Sequence, residues 1–200
     1  YDGRHKLIPG YFSHKEVYNL GMLFILFLSL YFFIFLVFLV MVGTGITYVS
    51  QHSSRQQEFL AGYLPTKPPE GFYKGTAHLL MDANVPWLGK AFVPAQVNGF
   101  NVFTSTGYNI LKFLTPLYKK FSKNAEGTYS AYVFKTYTTK ALRDEKQVFV
   151  LDYNSKENPF LIRIIVDEIV ETKPNEFLGK IHVKIFPGFF ITLGYFSLKK

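Results

Sequence analysis

Met22-Leu-Phe-Ile-Leu-Phe-Leu-Ser-Leu-Tyr-Phe-Phe-Ile-Phe-Leu-Val-Phe-Leu-Val-Met-Val42 divides the chain into two parts of different chemistry. Of its 21 residues, 17 are Leu, Ile, Val or Phe, and no Asp, Glu, Lys, Arg or His occurs from Val17 to Gln51. On the insertion scale such a run favours the bilayer by about 5–10 kcal/mol. At about 1.5 Å per residue it reaches about 32 Å, enough for a hydrocarbon core. A helix in a soluble core is rarely apolar on every face for this length. The run also exceeds the apolar core of a cleaved signal peptide, about 7–15 residues, and no small-x-small site follows it closely. The sequence therefore predicts a polar N-terminal segment over 1–20 and one transmembrane helix over 21–45.

The flanks set an expected orientation. Arg4, Lys6 and Lys15 precede the helix, whereas Arg55 is the only cation in the twenty residues after it. The positive-inside rule puts the N-terminus in the cytoplasm and the C-terminal domain in the periplasm, the helix crossing the cell inner membrane once. The absence of cysteine suits a periplasmic domain that uses no disulfides, and it excludes thiolate metal sites and covalent c-type haem.

Residues 46–70 read as a juxtamembrane segment, helical over Ser53 to Gly62, ending in the Pro-rich linker Leu64-Pro-Thr-Lys-Pro-Pro-Glu-Gly71. Beyond Gly71 the hydrophobic period becomes two. Phe72–Leu79, Trp87–Val93, Val97–Ser105, Tyr129–Tyr137, Gln147–Tyr153, Phe160–Glu171, Phe177–Phe186 and Phe189–Leu198 read as strands. Turns are signalled by Asp82-Ala-Asn84, Ala125-Glu-Gly127, Asn154 to Pro159, Lys173-Pro-Asn175 and Pro187-Gly188. Eight short strands at this spacing predict a mainly β domain over 71–200, an up-and-down antiparallel barrel or a sandwich, and closure would remove free edges. Helical spacing over Asn109–Lys123 predicts one short helix, with Thr115 as cap and Pro116 in its first turn.

Gly71-Phe-Tyr-Lys-Gly75, Trp87-Leu-Gly-Lys90, Asn98–Phe103, the segment Asn158–Ile169, Phe177-Leu-Gly-Lys180 and Tyr195-Phe-Ser-Leu198 together resemble lipocalin-like (calycin) small barrels of a bacterial type. The resemblance implies a barrel over residue 71 to the end and carries no functional residue with it. The sequence departs from the commonest calycin opening: Tyr73 stands where Trp is usual, and the tryptophan comes later, at Trp87.

No Gly-x-Ser-x-Gly elbow, phosphate loop, dinucleotide fingerprint or nucleic-acid motif is present, so a non-enzymatic role is expected. His5, His14, His52, His78 and His182 share no ligand spacing, and no metal site is expected; alternation puts His78 and His182 toward solvent. Within Phe160–Glu171 the even face reads Ile162, Ile164, Val166, Glu168 and Val170. If that face is interior, Glu168 is a buried carboxylate, either tied to an interior cation or tyrosine or available to orient a ligand. Arg163 and Asp167 then belong to surface cross-strand pairs. From Pro65 onward 18 Lys or Arg stand against 11 Asp or Glu, and Lys112, Lys119, Lys120 and Lys123 form a basic membrane or partner surface on the short helix. Phe24, Phe27, Phe32, Phe33, Phe35 and Phe38 of the anchor face lipid, neighbouring helices, or an apolar pigment or quinone held by another subunit.

No intrinsic cofactor is expected, and the barrel interior is expected to be filled by aromatic side chains. Two functional readings follow. One is a non-catalytic single-span accessory subunit, structural or assembly-related, in a larger membrane complex such as a respiratory or photosynthetic one. The other is a membrane-tethered carrier of a lipid, quinone or other apolar ligand.

Overall fold

The computed structural model describes residues 14–78 and 85–200, with side chains from Tyr18 onward. Arg4, His5, Lys6, the side chains of His14 and Lys15, Leu79 and the Asp82-Ala-Asn84 turn lie outside the described residues. Two compact units meet between Val42 and Gly43.

The apolar run lies in helix α1 (His14–Gln51), of which Tyr18–Gln51 is long and apolar enough to cross a membrane. Phe24, Phe27, Phe32, Phe33, Phe35 and Phe38 are all exposed. The polar Ser29 hydroxyl donates back to the Ile25 carbonyl at 2.8 Å, so the helix satisfies it internally.

The period-two sequence beyond Gly71 builds a closed antiparallel barrel. Its strands are β1 (Gly71–His78), β2 (Trp87–Val93), β3 (Asn98–Phe103), the two-residue β4 (Ser122–Lys123), β5 (Tyr129–Lys140), β6 (Gln147–Asp152), β7 (Ile165–Lys173), β8 (Glu176–Phe186) and β9 (Phe189–Lys199). Among the described residues eight strands close the ring, each beside its sequence neighbour, with β3 on β5 and β9 on β1; β4 flanks β5. This is the up-and-down barrel, and the sandwich alternative falls away. The interior is packed by Tyr73, Phe92, Phe134, Phe149, Leu151, Ile169, Phe177, Phe196 and Leu198, with Tyr73 edge-on to both Phe92 and Phe177.

Two elements differ from the sequence reading. Helix α3 (Ser105–Leu114) starts earlier than expected because Thr104, not Thr115, caps it, accepting from the Gly107 amide at 3.1 Å. Thr115 instead ends the helix, its amide and hydroxyl both donating to Leu111 O, and Pro116 follows where no helical amide is needed. The expected strand Phe160–Glu171 begins only at Ile165. Pro159 starts a helical turn, α4 (Phe160–Arg163), anchored by Asn158, whose side chain donates to the Val133 and Tyr153 carbonyls.

The barrel unit also includes the chain before the linker. Helix α2 (Ser54–Ala61), capped by Ser53, lays Phe59 on the outer wall against the cluster of Ala141, Val148, Val150, Val170, Leu178 and Tyr195. Tyr63 then exchanges two backbone hydrogen bonds with Glu171, at 3.0 and 2.8 Å.

Candidate functional site

Strand β7 positions the decisive side chains, and its faces are the reverse of the sequence expectation. Ile165, Asp167 and Ile169 point into the barrel, where Ile165 and Asp167 border a cavity and Ile169 joins the aromatic core. Val166, Glu168 and Val170 point outward, yet Val170 and Glu168 are covered by α2 and the β5–β6 connection. Asp167 is 3% exposed and Glu168 0%, so neither is a surface residue and both need partners. Alternation failed here because both faces of β7 are buried.

Inside, Asp167 meets Lys90 from β2. Lys90 Nζ lies 2.9 Å from Asp167 Oδ2 and 3.0 Å from Asn101 Oδ1 of β3, and also donates to the Tyr153 hydroxyl just beyond β6. Asn101 Nδ2 donates to Tyr153 OH at 2.9 Å and to the Tyr132 carbonyl at 3.3 Å, while Trp87 Nε1 donates to Asn101 Oδ1 at 3.1 Å. The ammonium sits over the rings of Phe196, Tyr153, Trp87 and Phe134 at 4.9–5.4 Å, which replaces part of its lost hydration. Burial lowers the Lys90 pKa, with Asp167 opposing the shift. Burial pushes Tyr153 well above its ordinary value, and the Asp167 charge adds to the rise. Asp167 Oδ1 is buried without a hydrogen-bond partner.

The sequence pattern concealed Lys90. Strict alternation would put Trp87 and Lys90 on opposite faces, but the ladder shifts register between Trp87 and Gly89. Gly89 takes φ 144°, and a Cβ there would stand 2.0 Å from Tyr73 O, so glycine makes the bulge possible. On the neighbouring strand β1, Gly75 leaves room for the Trp87 ring, which a Cβ would meet at 2.4 Å.

Above this cluster lies a cavity of about 250 Å³. Apolar groups from Ala77, Val85, Trp87, Phe103, Ile162, Ile165, Ile181 and Phe196 line most of it, with Lys90, Asn101 and Asp167 as its polar part. The aromatic side chains therefore do not fill the whole interior. The cavity occupies the end where β1, β3, β6 and β8 finish, the end that carries α3 and α4.

That end has an apolar outer surface. Phe113 is 84% and Leu117 91% exposed, and Ile110, Leu114, Phe160 and Leu161 are exposed too. The four lysines do not share a helix: Lys112 lies on α3 over the Tyr108 ring, Lys119 and Lys120 lie in the following loop, and Lys123 lies in β4. Lys120 pairs with Glu157 at 3.1 Å, linking the α3 loop to the connection before α4.

The outer network is denser. Glu168 accepts from the Leu142 amide at 2.5 Å and faces His182 Nε2 at 3.2 Å; His182 Nδ1 is 3.1 Å from the Thr192 hydroxyl. His182 is thus buried, not solvent-facing; it shares the outward face of β8 with Lys180, under α2 and the β5–β6 connection. His78 is half-buried, 2.7 Å from Ser197 Oγ. Thr47 Oγ1 accepts from the Thr192 amide at 2.9 Å, and Tyr195 OH donates to Gln56 Oε1 at 2.7 Å, with Ser50 O 3.1 Å away. Lys180 pairs with Asp144 at 2.5 Å over the Phe59 ring, and Gln56 donates to the other Asp144 oxygen. Burial lowers the Lys180 pKa against the pull of Asp144. Among the described residues no three His, Asp or Glu side chains form a metal cluster.

No protein-family model matches the sequence, and no curated protein or solved structure is significantly similar to it.

Proposed function

We propose that this chain is a membrane-tethered barrel that binds a small, mainly apolar molecule, the carrier reading of the sequence. The observation that carries it is the 250 Å³ cavity, apolar along its walls and polar at one place only, the composition expected of a pocket that orients a ligand by one end. The resemblance of Gly71–Gly75 and the later motifs to lipocalin-like barrels accords with this role. So does the setting. The exposed Phe113 and Leu117 with nearby lysines suit a lipid surface carrying anionic head groups. In this proposal α1 spans the inner membrane, the barrel stands in the periplasm, and ligand enters from the bilayer.

A second reading, the non-catalytic subunit of a respiratory or photosynthetic membrane complex, draws support from α1 itself. Phe24, Phe27, Tyr31, Phe35 and Phe38 recur at three- and four-residue spacing and are exposed, an aromatic stripe able to meet another helix, a pigment or a quinone. One purification separates the two. The full chain is isolated from its native membrane, and its organic extract is analysed by mass spectrometry beside its co-purifying proteins. A near-stoichiometric apolar molecule, lost in Ala77→Leu, supports the carrier. A stable set of partner subunits with no extractable ligand would replace it with the subunit reading.

A further inference from the structure

The inner cluster has a one-sided hydrogen-bonding capacity. An ammonium has three N–H bonds, an amide two, an indole one and a phenol one. Lys90 directs its three to Asn101, Tyr153 and Asp167. Asn101 directs its two to Tyr132 and Tyr153, and Trp87 its one to Asn101. The Tyr153 hydroxyl has Asn101 Oδ1 and Asp167 Oδ2 as acceptors, both at 3.3 Å. Every donor is committed. What is left is an acceptor, Asp167 Oδ1, buried without a partner on a residue that lines the cavity.

Charge narrows the ligand further. Lys90 and Asp167 neutralise each other at 2.9 Å, so the site offers no net attraction to an anion. A carboxylate entering the cavity would lose its hydration, find no free donor and approach a second carboxylate. An added cation would stand beside the Lys90 ammonium. We propose that the cavity selects a neutral apolar molecule bearing a hydroxyl, an alcohol that donates its proton to Asp167 Oδ1 while its hydrocarbon part lies against Trp87, Ile165, Ile181 and Phe196. The proposal rests on the cavity being a binding site and specifies what that site recognises.

The chain supplies its own reporter, since Trp87 is its single tryptophan and borders the cavity. The full chain, reconstituted in phosphatidylcholine vesicles, is titrated with decanol, decyl methyl ether and decanoate while Trp87 emission is followed. The three share a chain and differ in the head: a donor, an acceptor without a donor, and an anion. Decanol should bind at least about ten-fold more tightly than either of the others, the ratio a hydrogen bond to a charged acceptor confers. Asp167→Asn should reduce that preference, and Ala77→Leu should abolish the response to all three. Equal affinity for the alcohol and the ether, or tighter binding of decanoate, would overturn the donor rule while leaving a binding barrel in place. No response to any of the three would instead remove the binding function itself.

Discussion

Asp167 and Glu168 are adjacent carboxylates, both buried, on opposite sides of one strand, and they differ in what surrounds them. Glu168 has both oxygens engaged, by the Leu142 amide and by His182, in a network that continues through Thr192 to Thr47 on α1. Beside it, Asp144, Lys180, Gln56 and Tyr195 join the β5–β6 connection, β8, α2 and β9. Asp167 has one oxygen on Lys90 and one on nothing, at the edge of a cavity. The outward carboxylate closes a joint between the helical segment and the barrel; the inward one keeps an acceptor in reserve. Burial of a charge thus does not reveal its role, whereas the completeness of its hydrogen bonding does.

The comparison breaks most visibly by reversing charge on the outer wall. Glu168→Lys places a new cation beside Lys180 and His182 and removes the acceptor of the Leu142 amide. It should cost about 3–5 kcal/mol in chemical denaturation and expose the Ser50–Gly62 segment to protease. A stable variant with a protected α2 would show that this network does not hold the joint. Asp167→Asn is milder, about 1–3 kcal/mol, because it keeps the shape and leaves Lys90 with two neutral acceptors. Its effect should fall on Trp87 emission, with α2 still protected; cleavage in α2 would mean the two faces of β7 are one network.

Alkaline titration sharpens the difference between the walls. Burial raises the Tyr195 pKa from 10.0 to about 12. The folded chain therefore holds this proton where the unfolded chain releases it. The Tyr195 contribution is complete below pH 10 and is lost as pH rises from 10 through about 12, on the order of 2 kcal/mol. Lys90 and Lys180 act in the opposite sense: their folded pKa values lie below 10.5, so stability rises with pH as each folded amine loses its proton, up to 10.5. Denaturant midpoints from pH 9 to 12 should decline beyond pH 10, and Tyr195→Phe should flatten part of that decline. An unchanged slope in the variant would place the alkaline sensitivity elsewhere, with Tyr153 the inner-wall candidate.

The sequence made the apolar helix and the strand order legible because each rests on a single periodicity. Seven of the eight ring strands fall within a few residues of the expected ranges, and β7 alone starts well inside its range, since Pro159 starts a helical turn that apolar character cannot distinguish from a strand. The site was legible only as the pair of acids in Val-Asp-Glu-Ile. Which acid faces inward depends on α2 covering the outer wall, a tertiary fact that makes Val166 and Val170 resemble interior residues. Lys90 was hidden by the Gly89 bulge, a one-residue phase change that the unusual Trp-Leu-Gly-Lys run hints at but does not fix. His182 looked solvated beside Lys180 and Lys184 because a lysine normally marks an outer face, and here Lys180 is itself covered.

The smallest expected change in stability tests where a ligand enters, away from both carboxylates. Phe113 and Leu117 are almost fully exposed near the cavity end, and neither belongs to the barrel core. Replacing both with serine removes apolar surface that folding does not bury, so the denaturation midpoint should move by less than about 0.5 kcal/mol. Both networks and the cavity walls stay as they are, so decanol affinity at equilibrium should also be unchanged. What should fall is the rate at which Trp87 emission responds when ligand is presented in vesicles, because in the proposed function the serines take away the apolar side chains that would meet lipid. The loss should be greater on vesicles containing anionic phosphatidylglycerol than on neutral ones, where Lys112 and Lys119 add less attraction. A change in affinity without a change in rate would move these residues from the entry surface to the binding site. Equal rates for the variant and the natural chain on both vesicle types would mean that ligand reaches Asp167 by a route that does not pass the lipid surface.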